Sequence, residues 1–202
     1  MGTHLPCRAK VDGVADMGKA LLEEDAVIFR GKDDERVVVR FVDSREAAVE
    51  GDWLIYGPLE LELGAKQATK WLKAISTPKS VLEKLGVKSG QTAVLLGEYP
   101  HEFEDELRKK GVLTTNRPLR TLPELVFLFL TSSKQLTRLP QISDTGALWL
   151  IRPKGKTAPI TEAQSRAAGL AAGLVDMKVI SFSPTHSGEK FVVPAKSRGT
   201  RG

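Results

Sequence analysis

Two groups of residues in this chain have types and spacings that could do chemistry. The first lies in the stretch 92–110 (TAVLLGEYPHEFEDELRKK), where an apolar strand, 93–96, runs into Gly97 and then straight into a helical pattern. In nucleotide-binding folds such a turn is glycine-rich, so that backbone amides can approach a phosphate at the helix N-terminus. Here Glu98, Tyr99 and Pro100 follow the lone glycine. Pro100 has no N–H to donate, and Glu98, Glu102 and Glu104 put negative charge at the positive end of the helix. The turn has the outline of a coenzyme grip, yet it repels an anion. An acidic residue that takes ribose hydroxyls is expected roughly 20 residues further on. Asn116 stands there instead, able to accept a hydrogen bond but without the charge that strengthens one. The competing reading is that Gly97 permits a tight turn and Asn116 caps a loop.

The second group follows the strand expected at 147–151. Arg152, Lys154, Lys156 and Thr157 surround the flexible Gly155 just before a capped helix. A loop at the carboxyl end of a central strand is where open α/β sheets bind ligands, and these groups favour a small anion. The order is not that of a P-loop, and the alternative is a solvated loop. His186, within Ser183-Pro-Thr-His-Ser187, could act as a general base or an anion contact. No G-x-S-x-G elbow marks a nucleophile, and Ser187, its immediate neighbour, should point away. Shaping a turn is the simpler role. His101 and Glu104 share a helix face, but one imidazole and surface carboxylates do not close a metal site. The expected ligand contacts are thus Gly97, Asn116, Arg152, Lys154, Lys156, Thr157 and His186, with no catalytic residue and no metal.

The elements that must position these groups fall into two parts, divided near Ser76-Thr77-Pro78. Before the break, β-branched and aromatic runs at 26–30 and 36–42 flank a polar hairpin connection, and Gly51-Asp52 precedes a strand at 53–56. Leu59-Glu-Leu-Glu-Leu63 alternates strictly, as a strand with one wet face does. A helix then carries Ala65, Ala68, Trp71, Leu72 and Ile75 on one side. After the break, helices and strands alternate: a short helix stopped by Gly86, strands at 93–96, 112–115, 125–130 and 147–151, helices at 101–109 and near 134–139. Thr161-Glu-Ala-Gln164 is a capping box, and the small residues 167–173 let that helix pack closely on a sheet. Two last strands, 177–182 and 190–193, are joined by a turn around Ser187-Gly188. Near-continuous apolar strands separated by helices predict a mostly parallel sheet covered on both faces, with the last strand antiparallel.

The chain has 202 residues, 41% hydrophobic and 27% charged, enough for one generous core or two small ones. Its longest apolar run, 125–130, is too short to span a bilayer. No secretory signal opens it, and the single cysteine, Cys7, excludes an internal disulfide; a cytoplasmic location is expected. The net charge of +5 is uneven. Residues 1–77 hold 11 Lys+Arg against 14 Asp+Glu, leaving 19 against 11 for the rest. The basic groups are scattered without interleaved aromatic residues and partly sit in the terminal stretch 196–202, which reads as a disordered tail. Nucleic acid is therefore not expected as a partner, and the acidic 12–19 stretch argues against a lipid head group.

Residues 78–195 resemble a bacterial domain-of-unknown-function family with a methyltransferase-shaped, Rossmann-like fold. The matching stretches are Lys84-Leu-Gly-Val-Lys-Ser-Gly90, Trp149-Leu-Ile-Arg-Pro-Lys-Gly155, Ala172-Gly-Leu-Val-Asp-Met-Lys-Val179 and Phe182-Ser-Pro-Thr-His-Ser-Gly-Glu-Lys-Phe-Val192. Residues 1–77 resemble small pleckstrin-homology-like modules through Lys19-Ala-Leu-Leu-Glu23, Phe29-Arg-Gly31 and Leu63-Gly-Ala-Lys-Gln-Ala-Thr-Lys-Trp71. The resemblance implies an α/β chain: a small antiparallel β-roll with its helix, then a Rossmann-like, mostly parallel sheet. The expected function is non-catalytic binding or scaffolding, through a protein partner or a small anionic ligand and without a cofactor. The alternative is a transferase using S-adenosylmethionine or a nucleotide.

Overall fold

A computed structural model describes residues 4–41, 46–117, 119–155 and 157–199. The chain divides into two compact units, within Met1–Lys79 and Ser80–Gly202.

In the first unit, β1 (Leu5–Val11), β2 (Val14–Leu22), β3 (Ala26–Arg30), β4 (Arg36–Arg40), β5 (Ala47–Glu50), β6 (Trp53–Tyr56) and β7 (Leu59–Glu62) form one sheet. Their spatial order is β4-β3-β2-β1-β7-β6-β5, with every pairing antiparallel. Asp12-Gly13, both at positive φ, makes the two-residue turn between β1 and β2, whose twist suits a tight hairpin. Cross-strand charges fix the β1–β7 register: Arg8 pairs with Glu62 at 3.0 Å and Lys10 with Glu60 at 2.6 Å. Helix α1 (Ala65–Ser76) seals the inner face with Ala68, Trp71 and Ile75, packed among Val27, Phe29, Leu54 and Tyr56.

The second unit carries α2 (Val81–Leu85), β8 (Thr92–Leu96), α3 (His101–Lys109), β9 (Leu113–Thr115), β10 (Leu125–Phe129), β11 (Ala147–Pro153), α4 (Glu162–Ala171), β12 (Val175–Ser181) and β13 (His186–Val192). Its six strands lie in the order β12-β13-β11-β10-β8-β9. The pairings β8–β9, β8–β10 and β10–β11 are parallel, whereas β13 runs antiparallel to both β11 and β12.

This overturns the α/β expectation. The chain is mostly β: a seven-stranded antiparallel half-barrel sheet replaces the small roll, and a mixed sheet replaces the Rossmann-like, methyltransferase-shaped one. The physical reason lies in the crossovers. No helix forms in 116–124 between β9 and β10 among the described residues. The helix expected near 134–139 is one 3₁₀ turn, Ser133–Thr137, because Pro140 disfavours helical geometry at Leu139 before it. Ser187 and Gly188 lie within β13, not in a turn; Gly188 leaves room for Ile151, Ile180 and Trp149.

Alternation along the strands gives this sheet two apolar faces. Ala93, Leu95, Phe127, Phe129, Trp149 and Ile151 face α2 and α3, where Phe103 stacks edge-on against Phe127, Phe129 and Phe182 at 5.1–5.7 Å. Val94, Val126, Leu128, Leu148 and Leu150 face the opposite way, toward Ile142, Ile160 and Leu174. On that side α4 approaches so closely that a Cβ on Gly169 would fall 2.2 Å from the ring of the buried Phe191. Helix propensity favours alanine over glycine by about 1 kcal/mol; packing here must outweigh it. Overpacking of about 1–3 kcal/mol less that gain leaves Gly169→Ala expected to lower stability by up to about 2 kcal/mol in urea unfolding, and a stabilised variant would show that α4 does not sit this close.

Candidate functional site

The residues singled out in the sequence fall in two places. Gly97 and Asn116 border one open cavity of about 520 Å³, together with Leu96, Glu98, Tyr99 and His101. Gly97 has φ +84°, and a Cβ there would lie 2.3 Å from the Phe129 carbonyl oxygen. Close passage of β10 therefore demands this glycine without any ligand. Tyr99 leans on Phe129 with ring centroids 5.9 Å apart. Helix α3 starts at Pro100 without a side-chain cap, and Glu104 pairs with Arg108 at 2.6 Å while accepting from Thr114 Oγ1 at 2.8 Å.

Arg152, Lys154 and His186 gather where β11 ends beside the start of β13, Pro153 pairing with His186. Arg152 is 8% exposed and donates from Nε to Glu189, itself 3% exposed. The other Glu189 oxygen accepts from the buried Ser165 hydroxyl of α4, and Glu162 takes a second Arg152 nitrogen at 3.3 Å. This network pins α4 to the sheet. Lys154 Nζ donates to Ser181 Oγ at 2.7 Å and to the Ser183 carbonyl at 2.8 Å. Thr157 is exposed, and Lys156 lies outside the described residues. Arg152 and Lys154 are thus engaged in holding strands, loop and helix together. Glu189 and Ser165, which the sequence reading passed over, sit in strand and helix positions with no local signal of their partnership.

Removing one partner of a buried ion pair strands the other charge at a cost of about 3–5 kcal/mol. Arg152→Ala should lose stability of that order in urea unfolding. A loss near zero would mean that the pair is solvated.

His186 is hydrogen-bonded from its backbone N–H to Ser183 Oγ at 3.0 Å, with Nδ1 3.0 Å from Thr185 Oγ1. Burial, and then the nearby Lys154 ammonium, hold its imidazole below the usual value. The folded state binds this proton less readily than the unfolded chain. Stability from the neutral ring is therefore complete above the ordinary imidazole value and falls as pH drops through it. His186→Asn should flatten the decline in urea midpoint between pH 8 and pH 5; an unchanged slope would contradict the assignment. Burial likewise raises the Cys7 thiol. Among the described residues no group of three His, Cys, Asp or Glu side chains could hold a metal ion.

A larger cavity, about 840 Å³, opens on the sheet face opposite α3. Its floor is Val94 and Leu96 of β8 with Val126 and Leu128 of β10. One wall is the helix-free connection that carries Leu119, Leu122 and Pro123; the other is the segment with Leu139 and Pro140. Leu119 and Leu122 are 39% and 46% exposed. Arg120 and Arg138 border it, and both are exposed. Sequence reading missed this site. The available signal was Leu119 and Leu122 standing in a proline-flanked loop, where apolar side chains have no strand or helix to serve.

No protein-family model matches this chain, and no curated protein does. Among solved structures, it is similar to LepI in complex with S-adenosylmethionine, at 13% identity and a TM-score of 0.35 over 56% of this chain and 39% of that one. A variant of LepI in complex with S-adenosylhomocysteine and a substrate analogue aligns at 13% identity and a TM-score of 0.34, over 56% and 39% of the two chains. A pericyclic reaction enzyme aligns at 11% identity and 0.33, over 64% and 53%. The chain spans about two fifths to half the length of these structures. Scores this low carry no argument about function. No helix among the described residues is long and apolar enough to cross a membrane.

Proposed function

We propose that the chain is a non-catalytic binding protein whose second unit holds a small, largely apolar ligand over Val94, Leu96, Val126 and Leu128. The observation that carries this reading is the cavity of about 840 Å³ on an apolar sheet face, walled by leucines and prolines of two segments without an α-helix among the described residues. That volume lies within the range of small-molecule sites, which are mostly apolar with a few polar groups at set places. The bonds that engage Arg152, Lys154, Ser165 and Glu189 support a structural role for the polar groups nearest the strand ends. A neutral solvatochromic dye such as Nile red tests the reading. Its fluorescence should rise on mixing with the protein and fall back at least fivefold with Leu122→Asp, a change at an exposed wall position. A dye that stays dark, or that binds the variant equally, would reject it.

A second reading, a transferase using S-adenosylmethionine or a nucleotide, is favoured by one observation: Gly97 and Asn116 do border a common cavity. Glu98 and Tyr99 line the same space and weigh against a phosphate there.

A further inference from the structure

We propose that the ligand of the large cavity is an elongated amphipathic anion, with an apolar chain along the sheet and a carboxylate at the mouth beside Arg120 and Arg138. This inference rests on the binding reading above and adds the ligand's charge and shape to it.

Among the described residues, the charged side chains that border the cavity are Arg120 and Arg138, both positive, with no Asp or Glu. Neither arginine has an ion-pair or hydrogen-bond partner among the described residues, and both are exposed, so their guanidinium groups can turn to a ligand. Guanidinium groups present paired N–H donors that match a carboxylate. Of the two glutamines at the cavity, Gln135 is already committed: its Oε1 accepts from the Thr131 and Ser132 amides, and its Nε2 donates to the Phe129 carbonyl at 3.1 Å; Gln141 is exposed and carries no charge. The arginines are therefore the charged groups that would orient a ligand.

The cavity's shape points the same way. It shares Leu122, Leu139, Pro140 and Gln141 with a neighbouring one of about 600 Å³, which continues past Ile142 to Leu174. Among the described residues, no acidic side chain borders that continuation either. The second space lies beyond the strands, between the 139–142 segment and the end of α4, with both polar and apolar surface; adjoining the first, it leaves room for an extended chain that a compact ring system would not use.

Displacement of Nile red by decanoate and by decanol, both below their micellar concentrations, tests the inference on the full chain. Arg120→Gln combined with Arg138→Gln should weaken decanoate about tenfold, two exposed cation–carboxylate contacts each contributing a few-fold, and leave decanol within twofold. Raising the salt concentration should weaken decanoate alone. Equal effects on the two ligands, or none on either, would overturn the anionic head group while dye binding keeps the binding reading standing. Failure of the dye to bind the unmodified protein would remove both.

Discussion

Strands β8, β10 and β11 are apolar on both faces, and water has to be kept from each. Leaving such a surface wet costs about 25 cal/mol for every Å². On one face α2 and α3 meet the demand with Leu82, Leu85, Phe103 and Leu107. On the other, the chain has α4 over Phe191 but, among the described residues, no α-helix over β8 and β10, only the 119–123 connection and the segment with the 3₁₀ turn Ser133–Thr137. A helix lays a continuous row of side chains on a sheet; an extended loop with prolines cannot, because its side chains leave in several directions. The floor residues are covered, yet a cavity remains above them. The candidate site is the consequence of how one crossover is built.

The rest of the unit explains why that gap is stable and does not collapse. Gly97 lets β8 turn away against the backbone of β10, and Gly169 lets α4 settle on Phe191. The Arg152–Glu189–Ser165 network then ties α4 to β11 and β13. Buried charges of this kind contribute little net stability when complete but penalise any rearrangement that separates them. They hold the helix where it is, over Phe191.

Much of the strand content was legible, and the reasons for the failures are specific. The runs at 26–30, 53–56, 125–129 and 147–151 are dense in β-branched and aromatic residues and form strands. Thr161 and Gln164 make the reciprocal cap that their spacing announces. The first hairpin was readable in Val11-Asp-Gly-Val14, an Asp-Gly pair between apolar residues, but the charges of β1 and β2 masked it. Two of those charges, Arg8 and Lys10, are cross-strand partners of Glu62 and Glu60, not loop groups. The α/β expectation failed because apolar strands at regular intervals do not reveal whether their crossovers are helical. Of the candidate contacts, Arg152 and Lys154 looked available because their partners Glu189, Ser181 and Ser183 stand 37, 27 and 29 residues away in sequence. Spacing within a motif carries no information about such pairings.

An apolar space persists over β8 and β10 because, among the described residues, no α-helix crosses there. Crystals of the protein equilibrated under xenon pressure test this most directly, since xenon enters apolar cavities and scatters anomalously. The expected result is a xenon peak over Val94 and Val126, between the Leu122 wall and Leu139. No peak there, with 119–123 instead forming a helix packed onto Val126, would contradict it.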